Sequence, residues 1–149
     1  MLKFRTILIT LPFLVIGLAV WGFGKSKPAG IESEGNTSVP AMDEQLNDEG
    51  EVQISVEPQG ISADSSTWNF KVTMDTHSVE LGDDLMKVSQ LTVDDGGVFD
   101  PLVWEGDPIG GHHRSGVLKF PAVTPLPRTI ELHIRGVGGV KERLFFWTL

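Results

Sequence analysis

The stretch Thr67–Met74, "TWNFKVTM", decides the fold class. Trp68, Phe70, Val72 and Met74 alternate with Thr67, Asn69, Lys71 and Thr73, so one face is apolar and the other polar. A period of two is the signature of a half-buried β-strand. The same alternation runs outward in both directions. Val52, Ile54 and Val56 precede a turn at Pro58-Gln59-Gly60. A third strand is expected over Met86–Val93, ending at the turn Asp94-Asp95-Gly96-Gly97. "VFDPLVW" at 98–104 predicts a fourth, with Pro101 confining part of it to an edge or a bulge.

Val117–Phe120 predicts a fifth strand, and Ile130, Leu132 and Ile134 alternate with Glu131, His133 and Arg135 in a sixth. After a glycine-rich turn at 136–140, "KERLFFWTL" returns with Phe145, Trp147 and Leu149 on one face. No segment carries a helical period. About seven short strands separated by turn chemistry predict an all-β domain over 51–149, an immunoglobulin-like antiparallel β-sandwich, with a closed barrel as the alternative. The chain has no cysteine, so Trp68, Trp104, Trp147 and the phenylalanines are expected to fill the core in place of a disulfide.

Upstream the text changes character. Residues 1–24 open with Lys3 and Arg5 and continue as an uncharged run from Thr6 to Phe23. As a helix, that run spans about 27 Å, close to the hydrocarbon thickness of a bilayer. Trp21 and Phe23 fall at its far end, and Pro12 is tolerated in a membrane helix. Its length and the lack of an A-x-A-like site favour an uncleaved signal anchor and transmembrane helix over a cleaved signal peptide. A short N-terminal tail ahead of a long C-terminal domain places that domain extracytoplasmically. Residues 25–50, "KSKPAGIESEGNTSVPAMDEQLNDEG", lack aromatic residues and are rich in Gly, Ser, Pro and acids. They read as a disordered, acidic linker with an r.m.s. reach of about 28 Å.

Composition excludes several functions. Without cysteine there is no thiolate metal site and no cysteine nucleophile. A net charge of −8 argues against nucleic acid as a partner. The charge is uneven, −10 over 51–108 and +4 over 109–149, and two such halves side by side compensate each other. No G-x-S-x-G elbow is present, and neither Asp83-Asp84 nor Asp94-Asp95 has calcium-loop spacing. A small sandwich offers little concave volume for a carboxylate pair, so the domain is expected to be no enzyme.

The candidate chemistry lies in "MDTHSVELGDD" and "GDPIGGHHRSGVLKF". His77, His112 and His113 are candidate ligands for zinc or copper, because loops of a sandwich gather at its ends and imidazole suits both metals. Adjacent residues of an extended chain point to opposite faces, however, so His112 and His113 share an ion only if Gly110-Gly111 bends the backbone. The competing expectation is a half-buried histidine donating to a backbone carbonyl and ordering the loop against Trp104. Gly110, Gly111 and Arg114 form a candidate anion or partner contact, a nest of amides beside a guanidinium. The competing partner for Arg114 is Glu105 or Asp107. His133, between Glu131 and Arg135 on a polar strand face, is expected to be solvated.

Together Thr76-His77-Ser78-Val79-Glu80-Leu81, Trp104-Glu105-Gly106, Gly110-Gly111-His112-His113-Arg114 and Gly116-Val117-Leu118 with Phe120 carry a resemblance. They resemble a family of uncharacterised extracytoplasmic domains of prokaryotes, over roughly 67–149 and including Phe145-x-Trp147-x-Leu149. That resemblance implies a domain and its compartment and brings no activity with it. At fold level the chain is also similar to CopC-like β-sandwich copper carriers. It departs from them in having no methionine-rich loop and no exposed N-terminal histidine after signal removal. The function expected is a membrane-tethered extracytoplasmic module that binds an envelope partner or serves structurally, with a metal-binding envelope protein as the alternative.

Overall fold

A computed structural model describes residues 42–149. The expected membrane helix and the first part of the expected linker lie outside the described residues. Nine strands form two antiparallel sheets, so the described chain is an all-β sandwich. The strands are β1 (Gln45–Asn47), β2 (Val52–Gln59), β3 (Thr67–Thr76), β4 (Ser89–Val93), β5 (Val98–Phe99), β6 (Val103–Gly106), β7 (His113–Pro121), β8 (Thr129–Arg135) and β9 (Glu142–Thr148). One sheet has the order β1-β2-β3-β7-β6 and the other β5-β4-β8-β9.

The core is the sum of the alternating faces. Trp68, Phe70, Val72 and Met74 of β3 are all buried, as are Ile54 and Val56 of β2 and Leu118 and Phe120 of β7. The other sheet answers with Leu91, Ile130, Leu132, Ile134, Phe145 and Trp147. Aromatic rings bridge the layers. Phe70 meets Phe120 edge-on at 5.6 Å and Trp147 at 5.7 Å between centroids, within the range of favourable ring pairs. Trp104 is only half-buried at an edge, and Phe146, on the outward side of β9, is 51% exposed, so neither fills the core as expected.

The structure corrects four local readings. The folded unit begins before residue 51: β1 lies inside the stretch read as linker and pairs with β2, Leu46 opposite Ser55. The strand expected from Met86 begins with one helical turn instead, α1 (Leu85–Val88), because the Asp84 side chain caps the Met86 amide at 3.1 Å. "VFDPLVW" is two strands rather than one, β5 in one sheet and β6 in the other, and the chain changes sheets around Pro101. The strand expected from Val117 starts four residues earlier at His113, because Arg114 occupies a core-facing position opposite Met74.

Strand directions sort the connections into two ends. Met42, the β2–β3 turn, the β4–β5 turn, the β7–β8 loop and Leu149 lie at one end. The 77–88 segment, the 107–112 loop and the β8–β9 turn lie at the other, about 30 Å away along the ten residues of β3. Lys119–Glu105 at 2.7 Å and Arg128–Asp94 at 3.0 Å join the acidic half of the sequence to the basic half, as the charge distribution led one to expect.

Candidate functional site

At the second end the two loops that carry most of the candidate residues are joined backbone to backbone. Thr76 N donates to His112 O at 3.0 Å, Leu81 N to Gly111 O at 2.9 Å, and Gly110 N to Leu81 O at 2.9 Å. Gly110 and Gly111 make this possible by adopting φ of 113° and 74°, values that favour glycine. The segments Thr76–Leu81 and Gly110–Arg114, far apart in sequence, are therefore one structural unit.

The three histidines share that unit but not one centre. His113 opens β7 directly opposite Asp75, and its Nδ1 lies 2.5 Å from Asp75 Oδ1. Its side chain is 71% exposed, and His77 and His112 are exposed as well. Among the described residues no three His, Cys, Asp or Glu side chains are placed to hold one ion. The half-buried histidine expected to order this loop against Trp104 is not there. That place is taken by Arg114.

Arg114 is 2% exposed. Its Nη1 donates to Asp83 O at 2.8 Å and to Leu81 O at 3.3 Å, fastening β7 to the 81–84 segment. Its guanidinium carbon lies 5.6 Å from the centre of the Trp104 ring, a cation–π distance. Neither Glu105 nor Asp107 forms an ion pair with it; Glu105 pairs with Lys119, and Asp107 accepts the Ser115 amide at 2.8 Å. Burial pulls the Arg114 pKa below the ordinary arginine value, opposed by the charges of Asp84, Asp107 and Asp83. Its Nε is sealed from solvent without a partner, and Nη2 has none among the described residues. Gly110's amide is taken by Leu81, so of the expected anion contact the Gly111 amide and Arg114 are left.

Trp104 is held as firmly as the arginine it covers. Its Nε1 donates to Asp107 O at 2.8 Å. The indole lies over Gly106 and Gly116, paired across β6 and β7, where a Cβ on either residue would come within 3 Å of the ring. Beside this floor runs an open groove of about 470 Å³. Arg114 and Trp104 line it, with Met86 on one side and the exposed Leu102, Val103 and Ile109 on the rim. Asp84 also lines it, but Lys87 neutralises that carboxylate at 3.1 Å and, with the Met86 amide, holds its pKa below the ordinary aspartate value.

A second polar cluster was not anticipated. His133, expected to be solvated, is only 15% exposed on the outer face of the β4–β8–β9 sheet. Its Nδ1 lies 2.9 Å from Glu142 Oε1, and its Nε2 lies 3.2 Å from Thr92 Oγ1 and 3.5 Å from Glu131 Oε2. Arg135 completes the group, donating to Glu142 at 2.8 Å and to Gln90 at 2.7 Å. Alternation placed His133 on the right face, but its partners belong to three strands, so only the register reveals them.

Comparison with protein-family models, with curated proteins and with solved structures finds no match for this chain.

Proposed function

We propose that the protein is a membrane-tethered extracytoplasmic binding module without catalytic activity, which engages its ligand at the groove floored by Arg114 and Trp104. The strand order β1-β2-β3-β7-β6 over β5-β4-β8-β9 supports an immunoglobulin-like arrangement, since β2-β3-β7-β6 follows A-B-E-D and β5-β4-β8-β9 follows C′-C-F-G. The uncharged run Thr6–Phe23 supports the tether. One observation carries the binding reading. Arg114 lines an open groove with no partner for its Nη2 among the described residues and with its Nε unpartnered beneath, whereas buried polar groups are ordinarily satisfied. The chemistry of the groove calls for a carbonyl or carboxylate acceptor flanked by an apolar body that covers Leu102, Val103 and Ile109.

The test uses the full chain in zwitterionic micelles, titrated with N-acetyl-leucyl-leucine and followed by NMR. Saturable movement of the Trp104 indole N–H, absent in Arg114→Met, is the expected result. A Trp104 signal that ignores the peptide, or that moves equally in the variant, overturns the reading.

A second reading, metal binding, has one observation in its favour. Asp75 holds His113 at Nδ1, and an imidazole fixed by a carboxylate at one nitrogen presents the other to an ion. On this reading zinc or copper is held by His77, His112 and His113 after the exposed His77 and His112 turn towards it. Broadening confined to these three residues, lost in the His112→Ala and His113→Ala variants with the fold unchanged, is its expected signature. A spectrum unchanged by both ions sinks it.

A further inference from the structure

The opposite end of the sandwich carries a surface that the binding groove does not explain. There an open, mainly apolar groove of about 640 Å³ is lined by Met42, Ile61, Leu126, Phe146, Trp147 and Leu149. Leu126 and Phe146 are exposed. Leu126 stands between Pro125 and Pro127, which restrict the backbone that presents it. Phe146 stands on β9, whose backbone at that residue exchanges hydrogen bonds with the Gln45 side chain, so it too is held on a rigid element. Contiguous exposed apolar surface of this kind marks a contact site.

We propose that this end of the domain rests against the lipid bilayer, with Leu126 and Phe146 entering its interface. The inference rests on the tether reading above. The uncharged run ends at Phe23 and the chain enters the apolar groove at Met42, so residues 24–41 are all that separates them. On the linker reading of the sequence, a segment of that length has an r.m.s. reach of about 23 Å. A folded domain of about 100 residues is roughly 30 Å across. On that reading the end that carries Met42 is the one tied to the membrane, and the mean reach of the tether is shorter than a second folded copy is wide. Lipid is the occupant that fits.

Charge defines the kind of contact. Asp43, Asp64, Asp94 and Asp95 lie at this end against Arg128, which is already paired with Asp94. Among the described residues at this end there is no basic cluster to draw the domain onto anionic headgroups, so the contact is hydrophobic and suits a zwitterionic surface. The consequence is polarity. The Arg114 groove and the three histidines, at the far end of β3, face away from the bilayer.

The absence of cysteine from the chain makes the test direct. Full-length Leu126→Cys, Phe146→Cys and Ile109→Cys variants are labelled with an environment-sensitive fluorophore and reconstituted into phosphatidylcholine vesicles, with and without brominated lipid. The expected result is about a twofold loss of fluorescence from 126 and 146 in brominated vesicles, unaffected by high salt, and no loss from 109. Equal, negligible quenching at all three positions overturns the proposal. An alkaline carbonate wash separates the two ways of failing. Protein that stays with the vesicles but is not quenched at 126 or 146 refutes the lipid contact alone, whereas protein that is washed off refutes the tether and the contact with it.

Discussion

Arg114 and Arg143 are both sealed beneath the surface, at 2% and 1% exposure, yet they are treated differently. Arg143 spends all three nitrogens: Nε on Asn47 Oδ1 at 2.9 Å, Nη1 on Val137 O at 2.6 Å, and Nη2 on Glu49 O and Val52 O at 2.6 and 3.0 Å. It is a staple, gathering the β1–β2 turn and the β8–β9 turn onto β9. Arg143→Met takes a donor from Glu49 O and Val52 O, while Val137 O keeps the Val140 amide, and is expected to cost about 2 kcal/mol or more, at about 1 kcal/mol or more for each of the two. Arg114→Met orphans only Asp83 O, because Leu81 O keeps the Gly110 amide, and it also removes an unpaired buried Nε, so about 1 kcal/mol is expected. Urea denaturation of the two variants orders them; a larger loss for Arg114→Met would contradict the assignment of the staple role to Arg143. Gly116→Ala belongs to the same scale. Its Cβ would lie 2.6 Å from Gly106 Cα and 2.7 Å from the Trp104 ring, so a loss of about 1–3 kcal/mol with a shifted Trp104 fluorescence is expected. Arg114 also shows what alternation hides. A charged residue in the core row made "HHRSG" read as loop, although His113 outward, Arg114 inward and Leu118 inward keep the period of two.

At the scale of the strand, the outer face of β4, β8 and β9 is fastened by side chains rather than by a core. Glu142 is the hub, bonded to His133 and Arg135. The hydrogen bond from His133 holds its pKa below the ordinary glutamate value; desolvation opposes it, and the hydrogen bond from Arg135 adds a smaller lowering. A carboxyl group with a depressed folded-state pKa stabilises the fold above its unfolded pKa and loses that contribution as pH falls through the folded one. Asp84, held low by Lys87, and Asp94, held low by Arg128, act in the same direction. Stability is therefore expected to be flat near neutrality and to decline below about pH 4, as these carboxylates take up protons. The stability gap between the native chain and Glu142→Gln should close over that range; a gap that persists into strong acid would show that the carboxylate charge is not what matters. The sequence showed which strands alternate, because burial on one face writes a period of two. It did not show β1, whose three residues are too few to have a period, nor the partners of His133, which the register alone brings together.

For the whole molecule, β1 decides whether the sandwich is closed. Its backbone pairs with β2 of one sheet while its side chains reach β9 of the other. Gln45 bonds the Phe146 backbone through both amide atoms, Asn47 accepts from Arg143, and just upstream Asp43 O accepts from Trp147 Nε1 at 2.9 Å. Residues 42–47 thus cross between the sheets and cover the free edge of β9. An exposed strand edge with alternating apolar residues invites pairing with another chain, and Leu144 and Phe146 on β9 are such residues. A fragment starting at Glu51, where the period of two first becomes visible, is expected to lose about 2–4 kcal/mol relative to one starting at Met42, from some four long-range hydrogen bonds at about 1 kcal/mol each. It should also self-associate with rising concentration. Urea midpoints and sedimentation velocity of the two fragments measure both effects. Equal midpoints and two monomers would mean that the acidic segment only touches the sandwich. A destabilised, associating shorter fragment would mean that the last residues of the apparent linker are the clasp that holds two sheets as one domain.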